Sequence, residues 1–410
     1  MKNINKGSWF FFLANIFDHY DTSLFGFLIP FLAPLFFPFG EDLKSLIFMY
    51  LFIPLGFFSR FLGSFFLGKL ADSLGCFYML RISLIGLGAA TVLMGFIPIY
   101  EKIGFWSPLL MLMLRLIQTF FASLQSILGS IYILKDSKEK QRGLRLSFYD
   151  ILGITGALFA SFLVNLLGQD DLIKAYWRYL FWIGGSLCFF AYFFKTSVKS
   201  YMSSQENESR TYTIPDMVKE FPVLLQIFLC SGFSYACYYI SFHFMNVYIP
   251  QVTNHTLSSM MDMNSWLLFC DIIFLLLAGL VTKYFDAQKM MKTVLICSFS
   301  LLPILNSFVV NSSFVYVFSY RLFIVGLGVF FTVPYCLWRL KHLPSSYKYT
   351  AVGIATVLGS QLLGSSSSFF CLFLFKLSIK KIGPLFYLSI LGFTNYIFLI
   401  RLNRNSSPFS

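Results

Sequence analysis

Long apolar runs separated by short polar clusters dominate the chain. They lie near 9–37, 44–68, 79–99, 108–134, 146–168, 177–195, 220–249, 263–282, 290–310, 312–338, 350–375 and 383–402. A helix rising about 1.5 Å per residue needs roughly 20 residues to cross a hydrocarbon core about 30 Å thick. The pattern therefore predicts an all-α membrane protein with about twelve transmembrane helices. No run shows the period-two alternation of a barrel strand, and Ile272–Leu277 is apolar throughout. Pro30, Pro34, Pro54, Gly153, Gly156 and Pro334 fall inside runs, where packed neighbours can re-satisfy freed backbone groups. Lys2 and Lys6 precede the first run as they would in a signal peptide. That run continues past Asp18 and Asp21 with no small-residue cleavage site, so it reads as the first span.

The longest polar stretch, KTSVKSYMSSQENESRTYTIPDMVK at 195–219, follows the sixth run. Its mixed charge and low hydrophobicity make it a cytoplasmic linker between two six-helix bundles, 1–194 and 220–410. Two such halves are the plan of a rocking transporter with its site near the bilayer midplane. Duplication has a sequence trace: MLRLIQTF surrounds Arg115 in the fourth span and SYRLFIVG surrounds Arg321 in the tenth. The second and eighth spans each end in a Gly-led polar turn, GKLADSLG at 68–75 and GLVTKYFDAQK at 279–289.

Composition closes off other readings. The chain has 410 residues, 57% hydrophobic, 20% aromatic and 12% charged, about half the charged share of a soluble domain. With termini inside, about 21 of the Lys and Arg residues fall on the inner side and about 7 on the outer. That bias places both termini in the cytoplasm and explains the net charge of +13 without a nucleic-acid partner. Lys376, Lys380 and Lys381 stand against it on the outer side, where they can snorkel to the headgroups. The eight cysteines form no CxxC pair and read as small hydrophobes; no metal or cofactor pattern is visible. No nucleophile–base pair points to an enzyme.

The turn GKLADSLG resembles the signature loop of the major facilitator superfamily, which lies between spans two and three. Gly68, Ala71, Asp72 and Gly75 match it, whereas Cys76 and Phe77 stand where a basic pair is usual. Within the superfamily, ANIFDHYDTSLFGFL at 14–28 and RLIQ at 115–118 are similar to runs in the metabolite:proton symporters. So are KQRG at 140–143, WRYLFWIG at 177–184 and LPSSYKYTAVG at 343–353. Asp18 replaces that family's Glu, His19 its Trp, and Gln125 the Glu that follows span four. The resemblance implies a bacterial inner-membrane transporter, monomeric, that moves a small polar metabolite together with a proton by alternating access. It also implies that Gly68, Asp72 and Gly75 form an inner gate. By its own position Arg60 is expected near the inner end of span two, serving that gate, with Asp150 beside the inner boundary of span five as its partner.

A charged side chain at mid-membrane costs about 3 kcal/mol or more unless paired, which makes such residues functional candidates. Asp21 and Asp18, three apart, project from nearly one helical face, where two carboxyls can take up and return a proton. Otherwise Asp21 is a structural hydrogen-bond hub. Arg115 cannot shed its charge and needs an anion: a substrate carboxylate held in a bidentate fork, or Asp21 or Asp18. Gln118 is one turn away and can touch substrate. Arg321 is the equivalent base in the second half, either binding substrate or paired with Asp271. Tyr235, Tyr238 and Tyr239 in span seven can offer hydroxyls or a cation–π surface, or simply pack, with His243 and Asn246 beyond them. Two free arginines favour a di- or tricarboxylate such as 2-oxoglutarate; one free arginine admits a monocarboxylate or a zwitterion such as proline or betaine. A receptor that binds without transporting is the reading from another class.

Overall fold

The computed structural model describes residues 6–38, 45, 48–49, 51–167, 170–193, 220–309, 312–342, 349–376 and 383–405. The linker expected at 195–219 lies outside the described residues. Inside a bilayer every backbone N–H and C=O must bond within the chain, and each element here is helical. The longer helices are α1 (Lys6–Phe36), α2 (Phe52–Leu74), α3 (Cys76–Met94), α4 (Trp106–Ala122), α5 (Gln125–Asp136), α6 (Arg142–Leu167) and α7 (Asp170–Phe193). They continue with α8 (Phe221–Tyr239), α9 (Met245–Val252), α10 (Leu257–Val281), α11 (Ala287–Ser307), α12 (Phe314–His342), α13 (Thr350–Leu358), α14 (Ser367–Lys376) and α15 (Gly383–Asn405). Seven of the stretches are long and apolar enough to cross a membrane by length and composition alone, among them Cys76–Met94, Trp106–Asp136 and Phe314–His342. Taken with their neighbours, the helices follow the expected runs in order.

The described residues fall into two compact units. The first takes those within Met1–Asp136, Tyr149–Thr211 and Ser346–Gly353; the second takes those within Ser137–Phe148, Tyr212–Ser345 and Ile354–Ser410. Each unit thus includes one short segment from the other half of the sequence. The core of the first unit is built on α1, whose Leu24, Phe25, Leu28, Ile29, Leu32 and Phe36 are fully buried against Met94, Met111, Trp177 and Phe181. In α3 the buried positions Met79, Leu80, Ser83, Leu84, Leu87, Thr91 and Met94 recur every three or four residues, so one stripe faces inward.

Three local features depart from the sequence reading. The stretch expected as a polar turn, 68–75, stays helical through Leu74. The reversal falls on Gly75 alone, at φ 89° and ψ 153°, a region that residues with a Cβ avoid. The fourth span is two helices, α4 and α5, broken at Ser123–Leu124. The seventh and eleventh spans carry wide π turns at Ile240–Phe244 and Gly359–Ser365. Such segments free backbone carbonyls from the regular ladder and often mark functional positions. All eight cysteines are free.

Candidate functional site

In the first unit, α1, α3 and α4 bring four polar side chains together in an apolar interior. Asp21 is 1% exposed, and its Oδ1 accepts a 2.8 Å hydrogen bond from the Thr91 hydroxyl. Its Oδ2 accepts from Gln118 Nε2, which also donates to Thr91 Oγ1 at 3.0 Å. The Gln118 oxygen in turn accepts from Arg115 Nη1. Arg115 and Gln118 lie one turn apart on α4, so both face α1, and the guanidinium sits 4.2 Å over the Phe25 ring. The result is a continuous run from arginine through amide to carboxylate. Asp18 lies one turn before Asp21 and is also buried; its Oδ1 accepts no hydrogen bond among the described residues. The charges of His19, Arg60 and Arg115 act on it.

Arg60 is not near the gate, where the sequence reading put it. It is the ninth residue of the 23-residue α2, half-buried, twelve positions before Asp72 and so about 18 Å from it along the axis. Its charge reaches Asp18 instead. His19 turns to its own helix, with Nδ1 3.0 Å from the Asn15 carbonyl oxygen.

Gly68 and Asp72 meet at the start of α13, within the first unit, while Gly75 forms the reversal between α2 and α3. Asp72 accepts hydrogen bonds from the backbone N–H of Tyr349 at 3.0 Å, the N–H of Thr350 at 3.2 Å, and the Thr350 hydroxyl. A carboxylate at a helix start satisfies N–H groups that have no partner in the helix and suits the positive end of its dipole. A Cβ on Gly68 would come within 2.7 Å of Thr350 Cα, so this contact needs glycine. Asp72→Asn keeps an acceptor but loses the charge on it, and should slow turnover about tenfold without altering ligand affinity. Flux and binding measured on the same reconstituted protein would check this; weaker binding at unchanged turnover would put Asp72 in the binding step.

The second unit holds the other arginine. Arg321 on α12 is 0% exposed; both terminal nitrogens donate to neutral acceptors, while Nε is buried with no hydrogen-bond partner among the described residues. Nη2 donates to the Ser241 carbonyl at 2.8 Å, to Asn246 Oδ1 at 3.1 Å and to Asn264 Oδ1. Nη1 donates to the Met260 carbonyl at 3.2 Å and lies 3.5 Å from the Met263 sulfur. Ser241 belongs to the π turn after α8, so the guanidinium takes up one of the carbonyls that the wide turn leaves free. Of the two alternatives for Arg321, the pairing with Asp271 is not made among the described residues; backbone and amide oxygens and two methionine sulfurs take its terminal nitrogens.

The three tyrosines of α8 do not form one cage. Tyr235 packs at Gly364 in the second π turn. Tyr239 stacks on His243 at 5.2 Å, while Tyr238 lies against Phe242 at 4.8 Å and keeps 45% of its surface exposed. Sequence reasoning missed Thr91, Asn264 and the two methionines around Arg321. A lone hydroxyl or amide on the inward stripe of an apolar span was the available signal. Among the described residues, no three His, Cys, Asp or Glu side chains gather as a metal ion would require.

Comparison with known proteins bears on this arrangement. The chain is 29% identical over 175 residues to the glycine betaine/proline/ectoine/pipecolic acid transporter OusA of Dickeya dadantii, a match covering 42% of this chain and 35% of that protein. The chain thus spans about a third of the length of that relative. It is 22% identical over 408 residues to the alpha-ketoglutarate permease of Escherichia coli, covering 95% of this chain and 92% of the permease. Among solved structures, the proton:xylose symporter XylE aligns over 97% of this chain and 95% of its own, with TM-score 0.70 at 15% identity, a likeness of fold. The sequence profile of the Major Facilitator Superfamily matches residues 11–368. With most of its length under that profile, this chain belongs to the major facilitator superfamily.

Proposed function

We propose that the chain is a proton-coupled symporter carrying a small carboxylate-bearing metabolite across a bacterial inner membrane by alternating access, as a monomer with cytoplasmic termini. The observation that carries this reading is the run from Arg115 through Gln118 to Asp21, closed by Thr91. With Asp21 ionised, the guanidinium has its counter-charge inside the protein. A proton on Asp21 removes that counter-charge and leaves Arg115 able to take a substrate carboxylate in its place. Loss of the proton restores the internal pair and drives the carboxylate off. Proton and substrate are thereby bound together and released together. Asp18, one turn away and acted on by the same arginine, extends the proton path along α1.

The same geometry favours one carboxylate over two. Two arginines in the spans favour a di- or tricarboxylate, but Arg321 is enclosed and both of its terminal nitrogens already donate to neutral acceptors. A monocarboxylate or zwitterion fits one guanidinium, that of Arg115, exchanged between Asp21 and the substrate.

The test is uptake of labelled proline and 2-oxoglutarate into proteoliposomes with and without an inward proton gradient. Gradient-driven proline accumulation, cut at least about tenfold by Arg115→Lys because an ammonium cannot make the bidentate contact, is the expected result. Ligand-induced thermal stabilisation with no uptake of either compound would replace transport by binding alone.

A further inference from the structure

Gln125 opens α5 with a side chain only 2% exposed, and neither its Oε1 nor its Nε2 has a hydrogen-bond partner among the described residues. An amide buried with both ends unmet is unfavourable, so a small polar molecule that can donate and accept is what its surroundings call for. The register of the first unit shows what it faces. Arg115 lies over the Phe25 ring at 4.2 Å, Gln118 donates to Asp21, and Tyr132 stacks on Phe11 at 3.9 Å. Later residues of α4 and α5 thus meet earlier residues of α1, and the helices run antiparallel. Arg115, Gln118, Ala122, Gln125, Gly129 and Tyr132 recur at steps of three and four, which is one helical face. The break between α4 and α5 keeps that face, because Ser123 has helical dihedrals, φ −56° and ψ −33°. Gln125 therefore lies on the face turned to α1, level with residues 14–18.

That stretch of α1 carries two further unmet atoms. The Oδ1 atoms of Asp18 and Asn15, one turn apart, are both buried with no hydrogen-bond partner among the described residues. Asn15 is fixed from the other side, where its Nδ2 donates to the Tyr149 carbonyl on α6 at 2.8 Å. The Tyr149 ring lies against Gly129, one turn past Gln125, where a Cβ would overlap its hydroxyl. In this part of the unit α1, α5 and α6 hold three unmet oxygens and one unmet N–H group. Water, which both donates and accepts, fits that mixed set; a metal cation would satisfy the oxygens and leave Nε2 unmet. We propose that Gln125 holds a water against Asp18, and that this water is the next station of the proton on its way from Asp21 to the cytoplasm. This rests on the proton-coupled reading above and deepens it. With the N-terminus in the cytoplasm, Asn15 is about 9 Å to the cytoplasmic side of Asp21 along α1. The O–H bond of protonated Asp18 breaks as the water takes that proton, and the water gives up another of its own to solvent when the inner side opens. Asp18 is left ionised and the water is whole again. Gln125 is a positioning residue in this step.

The experiment separates net transport from exchange. Gln125→Met keeps an unbranched side chain of similar length without the amide, and Gln125→Ser is smaller and leaves room for a further water. Neither change removes a bonded group, so both should fold; melting curves check that, and Gln125→Leu replaces the methionine variant if it does not. Each protein is reconstituted as the full chain in proteoliposomes with labelled proline, or with 2-oxoglutarate if that is what the wild type accumulates. Net uptake driven by an inward proton gradient requires the proton to leave Asp18, whereas exchange of labelled for unlabelled substrate does not. The expected result is net uptake slowed at least about tenfold in Gln125→Met with exchange unchanged, and most of the loss restored in Gln125→Ser. Equal slowing of both rates in both variants would overturn the proposal and make Gln125 a packing residue. Proton-driven uptake unchanged in Gln125→Met would overturn the water alone, and a raised melting temperature beside it would show that the amide is dry. A wild type whose accumulation ignores the proton gradient, or follows a sodium gradient instead, would overturn the proton-coupled reading and the water with it.

Discussion

Asp21→Asn abolishes accumulation against a gradient and leaves equilibration intact. Asparagine keeps the size of the side chain and an oxygen for the Thr91 hydroxyl. Its NH2 faces the Gln118 NH2 donor to donor, and turning that amide gives up the bond from Arg115, so the packing of α1, α3 and α4 persists at the cost of one hydrogen bond. What disappears is the ability to alternate between charged and neutral forms. Arg115 then loses Asp21 as a counter-charge, and substrate binding no longer depends on a proton at that position. In proteoliposomes the inside-to-outside ratio at steady state should fall to about one, whatever the applied proton gradient, while exchange of labelled for unlabelled substrate continues. Retained gradient-driven accumulation in this variant would make Asp21 a structural hub and move the coupling elsewhere, with Asp18 first in line.

The second large effect is on stability. Arg321→Leu should lower the stability of the second unit by about 3–5 kcal/mol, the usual cost of deleting one side of a buried, hydrogen-bonded charge. The mutation strands the carbonyls of Ser241 and Met260 and the side-chain oxygens of Asn246 and Asn264 in an apolar interior. Each unmet acceptor costs about 1–3 kcal/mol, and some will find other donors. Removing a charge with no acidic partner gives part of this back, which is why the sum of the stranded acceptors is too large an expectation. Arg321→Lys should fall between, since an ammonium has three donors and no fork. Thermal unfolding of the purified protein reads the order directly. A leucine variant as stable as wild type would mean that the neutral shell holds the guanidinium at no net gain.

Much of the fold was legible because the bilayer imposes a single rule. Runs of about 20 apolar residues must be helices, and their order needs no tertiary information. The intramembrane acids and bases were legible for the same reason, since Asp21, Arg115 and Arg321 are expensive where they stand. What each one touches was not legible. Arg115 and Arg321 occupy similar sequence contexts, yet one ends on an amide leading to a carboxylate and the other in a shell of carbonyls. That difference is set by a hydroxyl on another helix and by a π turn, which depends on how the seventh span packs and not on its composition. Arg60 was placed too near the gate because the span was taken to end in a polar turn at 68–75, whereas α2 continues as helix for fourteen residues beyond Arg60.

Gly75 reverses the chain alone: α2 ends at Leu74 and α3 begins at Cys76. With a single residue between two rigid rods, there is no slack in which a rotation of α3 about its own axis could be absorbed. Thr91 is sixteen residues further on, about 24 Å along the same rod. The azimuth of α3 at its Gly75 end is therefore also the azimuth at which the Thr91 hydroxyl is presented to Asp21. A twist of some tens of degrees imposed at the Asp72 end would carry that hydroxyl out of reach. Torsion of one helix is thus a mechanical coordinate shared by the turn at one end and the carboxylate at the other.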